Sequence, residues 1–189
     1  MAHDSFEDRR KALEEQFFQA HDQQLVQKMK DAALQAASKS ELRQLTGITQ
    51  EQVLDALAAL KLGGAATLVM ALYPIIEVAW ADGQIDERER RVILDLARTL
   101  GLSEGTPAAE YLAKWLVEKP ELRWHALWAD YVKALAAQMK HDDKALLKNT
   151  ILGRARVVAE ASGGFLGVAF RVSGAEAKVL TALEQAFDV

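Results

Sequence analysis

Apolar residues recur along most of the chain with the three- and four-residue spacing of amphipathic α-helices. Val, Ile and Thr nowhere alternate with polar residues over the length of a strand, so the pattern predicts no β-sheet. The composition is dominated by residues that lose little free energy on entering a helix, namely Ala, Leu, Glu, Gln, Lys and Arg. The sequence therefore predicts an all-α protein.

The first predicted helix runs from about Phe6 to Ala37 and is mostly polar. Its apolar stripe is narrow and consists of Leu13, Phe17, Leu25, Met29 and Ala36. A break at Ser38 and a short helix, capped by Ser40 and ended by Gly47, are predicted to follow. Because a helix with one apolar stripe buries one seam, we expect residues 1–48 to form a long N-terminal helical arm. The arm would pack across the rest of the chain or pair with a partner helix.

Residues 49–189 are predicted to form a compact helical bundle. Capping boxes, in which an N-cap side chain is followed three residues later by Glu or Gln, predict three helix starts: Thr49–Gln52, Asp86–Glu89 and Ser173–Glu176. Thr106–Pro107 and Pro120 open two further helices, and Gly63–Gly64 form a tight turn. The helix that ends near Trp80 has apolar residues on all of its sides, so we expect it to be the central buried helix.

Two stretches of the chain share one order of features, namely residues 75–89 and residues 157–176. Each has an apolar helix containing one Glu, a Gly turn, an apolar anchor, a capping residue and a Glu three positions later. This order predicts two pseudo-repeated helix–loop–helix units. Any two capped helical hairpins would share these features, so the repeat and the chance similarity both stay open.

The run from Glu77 to Glu89, EVAWADGQIDERE, and the later Leu100-Gly101-Leu102 resemble the TerB-like family, named for a tellurite-resistance protein. The resemblance extends from about Leu60 to the C-terminus. It implies a compact helical bundle with internal pseudo-symmetry and a stress-related role. In the second hairpin, Gly164 stands where Asp82 stands in the first. The start of the arm, from Phe6 to Phe17, is similar to the beginning of the small ATP-synthase inhibitor subunit of some bacteria.

Acidic residues after the central helix could bind a metal ion. The pattern Asp82-Gly83-x-Ile85-x-x-x-Glu89 matches the second half of an EF-hand loop, but Val78 and Trp80 occupy first-half ligand positions and cannot bind a hard cation. A looser site for Ca²⁺, Mg²⁺ or Mn²⁺ would use four carboxylates: Glu77, Asp82, Asp86 and Glu89. In the alternative interpretation, which we favour, Asp82 and Gly83 make the turn and Asp86 caps the next helix.

Glu77 is the carboxylate whose surroundings are most apolar, because Ile75-Ile76 precede it and Val78-Ala79-Trp80 follow it. A buried carboxylate costs several kcal/mol unless it is paired. We therefore expect a metal ion, a partner protein, backbone N–H groups or an arginine beside it.

The sequence lacks the features of nucleic-acid-binding, membrane-binding and catalytic proteins. The net charge is −4 without a long basic run, so neither a nucleic-acid surface nor an anionic-membrane surface is expected. The chain has no Cys, and its four His residues lack the spacing of di-iron or zinc-protease motifs. No catalytic or nucleotide-binding motif occurs, so we expect no enzyme and no organic cofactor. The first residues lack the apolar run of a secretory signal, and we expect a cytoplasmic location.

An aromatic group is concentrated in one region and contains Tyr111, Trp115, Trp124, Trp128 and Tyr131. It is predicted to belong to the core, and any exposed member would mark a partner groove. The sequence thus predicts a non-catalytic helical interaction module. It would bind a protein partner or self-associate through the arm or the aromatic region. A metal-binding TerB-like domain is the alternative.

Overall fold

We describe the fold from a computed structural model, which places residue 24, residues 27–162 and residues 172–188. The structure is 76% helical, and the described residues contain no strand, which confirms the all-α prediction. Helix α1 covers residues 27–46. It is followed by α2 (Glu51–Ala58), a short 3₁₀ helix (Gly63–Ala65), α3 (Ala66–Ala79), α4 (Glu87–Thr99), α5 (Pro107–Trp115), α6 (Leu122–Ala136), α7 (His141–Ser162) and α8 (Gly174–Gln185).

The chain divides into two compact units, Met1–Ala37 and Ser38–Val189. Most of the predicted arm helix, including Phe6, Leu13, Phe17 and Leu25, lies outside the described residues. Residues 27–37 are helical, as predicted, and each of them is exposed.

The predicted break at Ser38 and the predicted cap at Ser40 are wrong, because both residues are helical. Contacts within the second unit explain the helix here: the Lys39 ammonium contacts Glu51 at 2.6 Å and Asp55 at 2.7 Å, and Leu42 is fully buried. Gly47 ends α1 with a φ of +71°, as predicted, and its N–H donates to the carbonyl of Arg43.

The second unit begins earlier than the predicted boundary at residue 48, because Leu42 and Ile48 both belong to the core. The predicted Thr49–Gln52 capping box is also wrong. The N-cap of α2 is Gln50, and its side chain does not cap the helix. The Thr46 hydroxyl instead accepts a hydrogen bond from Ile48 N–H at 3.2 Å, and the Ile48 side chain is fully buried just before α2 begins.

Helix α3 is the central element of the second unit, as predicted. It packs against α4, α5, α6, α7, α8 and the 3₁₀ helix. Ten of its fourteen residues are buried, and buried positions occur on every side of the helix. Helix α7 covers α3, α4 and α8, while α2 packs against α6.

The predicted helix starts after α3 are largely confirmed. Asp86 caps α4 and Ser173 caps α8, and each capping box has both of its hydrogen bonds. The Thr106 hydroxyl accepts from Ala109 N–H at the start of α5. Helix α6 begins after Glu121, next to the predicted Pro120.

The C-terminal end of α5 receives hydrogen bonds from side chains far away in the sequence. The indole N–H of Trp80 donates to the carbonyl of Trp115 at 2.7 Å. The guanidinium of Arg90 donates to the carbonyl of Leu116 at 2.9 Å. The last turn of a helix leaves carbonyls without partners inside the helix, so α3 and α4 complete the end of α5.

The aromatic group belongs to the core, as predicted. Trp115, Trp124, Trp128 and Tyr131 are buried. Trp115 and Trp124 pack edge to face with ring centroids 4.9 Å apart, and Tyr73 packs edge to face on Trp115 at 5.9 Å. The four buried rings fill the interior and do not form a groove for a partner, while Tyr111 is partly buried and packs against the core.

Candidate functional site

The clearest polar arrangement in the core lies between α3 and α6. Glu77 projects from α3, and its Oε1 lies 2.8 Å from Nδ1 of His125 on α6. The Glu77 side chain is 20% exposed and the His125 side chain 34% exposed, so the pair is partly shielded from water. The partner of Glu77 is therefore a histidine rather than an arginine or a backbone group, and the pair ties the two helices together.

Two aromatic side chains complete this cluster. Tyr73 lies one helical turn before Glu77 on α3, and burial raises the pKa of its hydroxyl well above the ordinary range, with the charge of Glu77 and a side-chain hydrogen bond to Glu77 adding to the effect. Trp128 lies one turn after His125 on α6, with ring centroids 6.4 Å apart. Trp128 also packs against Tyr73 at 6.3 Å. We call Tyr73, Glu77, His125 and Trp128 the α3–α6 cluster.

Two atoms of the α3–α6 cluster are buried and have no hydrogen-bond partner among the described residues. They are the Oε2 atom of Glu77, which can only accept while the carboxylate is ionised, and the indole Nε1 of Trp128, which can only donate. An unpaired buried polar atom costs about 1–3 kcal/mol. The cluster thus contains one unsatisfied acceptor and one unsatisfied donor.

The acidic loop between α3 and α4 serves local structure. The Asp82 carboxylate accepts from Gln84 N–H at 3.2 Å, and Gly83 turns the chain with a φ of +98°. The Asp86 carboxylate accepts from the N–H groups of Arg88 at 2.7 Å and Glu89 at 2.8 Å. The Glu89 carboxylate in turn accepts a hydrogen bond from Asp86 N–H at 2.8 Å. These are the contacts that the turn-and-cap interpretation predicts.

Glu89 is buried, with 3% of its surface exposed. Burial raises the pKa of Glu89 from 4.5 to about 7, the hydrogen bond from Asp86 N–H opposes this rise, and the charges of Asp86, Asp82 and Glu176 add to it. Glu176, the matching residue of the second capping box, is equally buried. The two boxes therefore bring acidic groups close together inside the second unit.

The four predicted metal ligands are not brought together as one group. Among the described residues, no set of three or more His, Asp or Glu side chains is arranged to hold a metal ion. Glu77 faces His125, while Asp86 and Glu89 bind backbone N–H groups. The metal-binding alternative stays a prediction that the geometry of these residues does not support.

Sequence reasoning missed the role of His125, because it considered only the spacing of the four His residues relative to known metal-binding motifs. One signal was present: His125 lies on a helix rich in buried aromatic residues, and Glu77 needed a partner. The two residues are 48 positions apart, and no sequence pattern connects them.

The second half of the predicted repeat can be compared only in part, because residues 163–171 lie outside the described part of the chain. Gly164 and the apolar residues Phe165, Leu166, Val168 and Phe170 fall there. The two hairpins do share a capping box with a buried Glu at its third helical position, Glu89 in one and Glu176 in the other.

Along the described residues, no single helix is both long enough and apolar enough to cross a bilayer.

Comparison of the chain with protein-family models gives no match, and neither curated proteins nor solved structures match it significantly. The TerB-like resemblance therefore stays a prediction from the residues of the first hairpin.

Proposed function

We propose that this chain is a non-catalytic helical interaction module that binds a protein partner through its N-terminal helix. The observation that carries the proposal is the exposure of helical residues 27–37, none of which is buried. Met29 and Leu34 are 66% and 69% exposed, although both are large apolar residues. A stress-related role, which the TerB-like resemblance implies, belongs to the same proposal.

An exposed helix of this kind needs a reason to be stable. Most helical stability in proteins comes from packing an apolar face, and residues 27–37 of α1 leave theirs exposed. The predicted stripe of the arm includes Met29 and Ala36. A partner helix packed along that stripe would bury its apolar residues, because amphipathic helices commonly bind partners through their apolar face.

The uses of the acidic residues also support a non-catalytic protein. Glu89 has the raised pKa that general acids often have, but its carboxylate accepts the N–H of Asp86 in a capping box. The Glu77–His125 pair lies between two packed helices. Each group has a structural task that accounts for its position.

The experiment compares partner capture by the full chain and by residues 38–189. The cut follows Ala37 because Leu42 and Ile48 are fully buried and must stay with the second unit. Both proteins are immobilised, exposed to extract of the native cells, and the retained proteins are identified by mass spectrometry. Sedimentation velocity of each protein tests whether the partner is a second copy.

Two point variants make the comparison specific. Met29→Glu places a charge on the predicted stripe, and Gln35→Glu adds the same charge at an exposed residue of the same helix that is not one of the stripe residues. We expect the full chain and Gln35→Glu to retain the partner or the self-association, and Met29→Glu and residues 38–189 to lose it. Retention of every partner by residues 38–189 would overturn the proposal.

A further inference from the structure

A groove between α4 and α5 lies on the surface of the second unit. Both helices pack on α3, and the space between them has a volume of about 370 Å³. Pockets of roughly 300–1,000 Å³ with mainly apolar walls are typical binding sites. The apolar walls of this groove are formed by Leu94, Ala97, Ala109, Leu112, Ala113 and Leu116.

The rim of the α4–α5 groove carries negative charge. Glu104, between the two helices, and Glu110, on α5, line the groove and are exposed. Among the residues that the structure describes, neither forms an ion pair, although Lys114 follows Glu110 by one helical turn. Arg98 also lines the groove, but its guanidinium contacts the Asp95 carboxylate at 2.8 Å, so these two charges offset each other. The groove is therefore complementary to an apolar group with positive charges beside it.

The exposed part of α1 presents a group of this kind. Met29 is 66% exposed, and Lys28 and Lys30 precede and follow it in the chain. Successive residues of a helix are about 100° apart around its axis, so the two lysines flank Met29 on either side. Ala32 and Ala33, three and four residues later, share its face and are exposed. Because alanine side chains are short, Met29 projects beyond this face.

We propose that the partner of the N-terminal helix is a second copy of this chain, and that the α4–α5 groove of one copy receives Met29 of the other. The inference rests on the proposed function, because it names the partner of the same helix. Amphipathic helices commonly bind in apolar grooves, and the flexible thioether of Met fills irregular apolar space well. The flanking lysines would lay their stems along the apolar walls and hold their ammonium groups beside Glu104 and Glu110.

The choice of a second copy follows from where the two complementary surfaces lie. Every chain has both an exposed Met29 between two lysines and an apolar groove with an acidic rim. Two copies related by a twofold axis would make the contact twice, once in each direction, which closes a dimer.

The first test is a charge reversal that makes two forms of the full chain complementary. One form carries Lys28→Glu and Lys30→Glu, and the other carries Glu104→Lys and Glu110→Lys. Each form alone places like charges across the contact, so sedimentation velocity should give a dissociation constant for self-association that is raised about tenfold or more. In an equimolar mixture, each helix meets a groove of opposite charge. Association should therefore return in the mixture.

A second test fills the groove and leaves the charges unchanged. Ala113 lines the groove and is exposed, so Ala113→Phe adds a ring there without replacing a core residue. It should also raise the dissociation constant for self-association. The matched control is Ala145→Phe, at an exposed position of α7 that does not line the groove. This control should leave self-association unchanged, and circular dichroism checks that each variant keeps its helices.

Three results would overturn the inference. A full chain that stays monomeric at every concentration would exclude a second copy as the partner. Self-association that is lost with Met29→Glu but unchanged in Ala113→Phe and in the form with the reversed groove would exclude the groove. Two charge-reversed forms that do not associate on mixing would exclude the pairing of lysines with glutamates. In each case the proposed function would still stand if Met29→Glu and residues 38–189 lose a partner that the full chain retains, and it would fail with the inference if they lose none.

Discussion

Replacing Glu89 with Gln tests the energetics of the buried capping box. Glu89 is 3% exposed and its pKa rises from 4.5 to about 7, chiefly because burial disfavours the charged form. At about 1.4 kcal/mol per pKa unit, the ionised carboxylate costs the fold on the order of 3 kcal/mol. Gln keeps an oxygen that can accept the N–H of Asp86 and cannot ionise.

The direction in which the stability changes with pH follows from proton binding. The folded protein holds the Glu89 proton more tightly than the unfolded chain does, so the stabilisation that this group provides is complete below pH 4.5 and is lost as the pH rises through about 7. Glu89→Gln does not undergo this loss. Compared with the ionised Glu89 carboxylate, a neutral Gln side chain near the helix N-terminus loses a favourable interaction with the helix dipole of about 0.3–1 kcal/mol. Subtracting this loss from about 3 kcal/mol, we expect Glu89→Gln to raise the free energy of unfolding by about 2–3 kcal/mol at pH 8 and by less than about 1 kcal/mol at pH 5.

The assay is urea unfolding of both proteins between pH 5 and pH 8.5, with the free energy of unfolding compared at each pH. Titrating groups that do not interact with Glu89 contribute equally to both proteins and cancel in the difference. Glu87→Gln is the matched control, because Glu87 lies in the same first turn of α4 with a side chain that is 79% exposed. It should show no gain that grows with pH. If Glu89→Gln is less stable than the wild type at every pH, the fold stabilises the ionised carboxylate instead of disfavouring it, and the reasoning fails.

Three further predictions concern other parts of the chain. Trp80→Phe removes the donor to the Trp115 carbonyl and should lower the free energy of unfolding by about 1–2 kcal/mol in urea titrations; no change would mean that the carbonyl finds another donor. Thr106→Ala removes the N-cap of α5 and should lower the free energy of unfolding by about 1 kcal/mol in the same assay. The control is Thr99→Ala, at an exposed helical Thr whose hydroxyl donates to the Asp95 carbonyl. This control should leave the free energy of unfolding nearly unchanged. Metal-stripped protein should show no saturable thermal shift with Ca²⁺, Mg²⁺, Mn²⁺ or Zn²⁺, because Asp86 and Glu89 bind backbone N–H groups; a shift that disappears in Asp82→Asn would instead support the metal site.

The sequence was sufficient where structure depends on nearby residues. The capping boxes at Asp86 and Ser173, the left-handed Gly47 and the apolar surface of α3 follow from spacing and from local backbone chemistry. Local rules failed where a distant contact decided the outcome. Thr49 and Gln52 have the spacing of a capping box, but Ile48 next to them is buried in the core and the helix has Gln50 as its N-cap.

The α1 helix shows the same limit. Ser38 and Ser40 favour a break by their intrinsic preference, yet Lys39 lies between them and reaches Glu51 and Asp55 on α2. The candidate site was harder still, because it joins side chains of two helices. The apolar surroundings of Glu77 predicted that it needs a partner, while the identity of that partner depends on how α6 packs against α3.

The hydrogen bonds at the end of α5 have a consequence for protein synthesis. Trp80 and Arg90, which donate to the carbonyls of Trp115 and Leu116, both precede α5 in the chain. Since the N-terminal part of a chain leaves the ribosome first, both donors have emerged before the carbonyls that they serve. These hydrogen bonds join groups that all lie before α6, so the end of α5 can be completed without any residue of α6, α7 or α8.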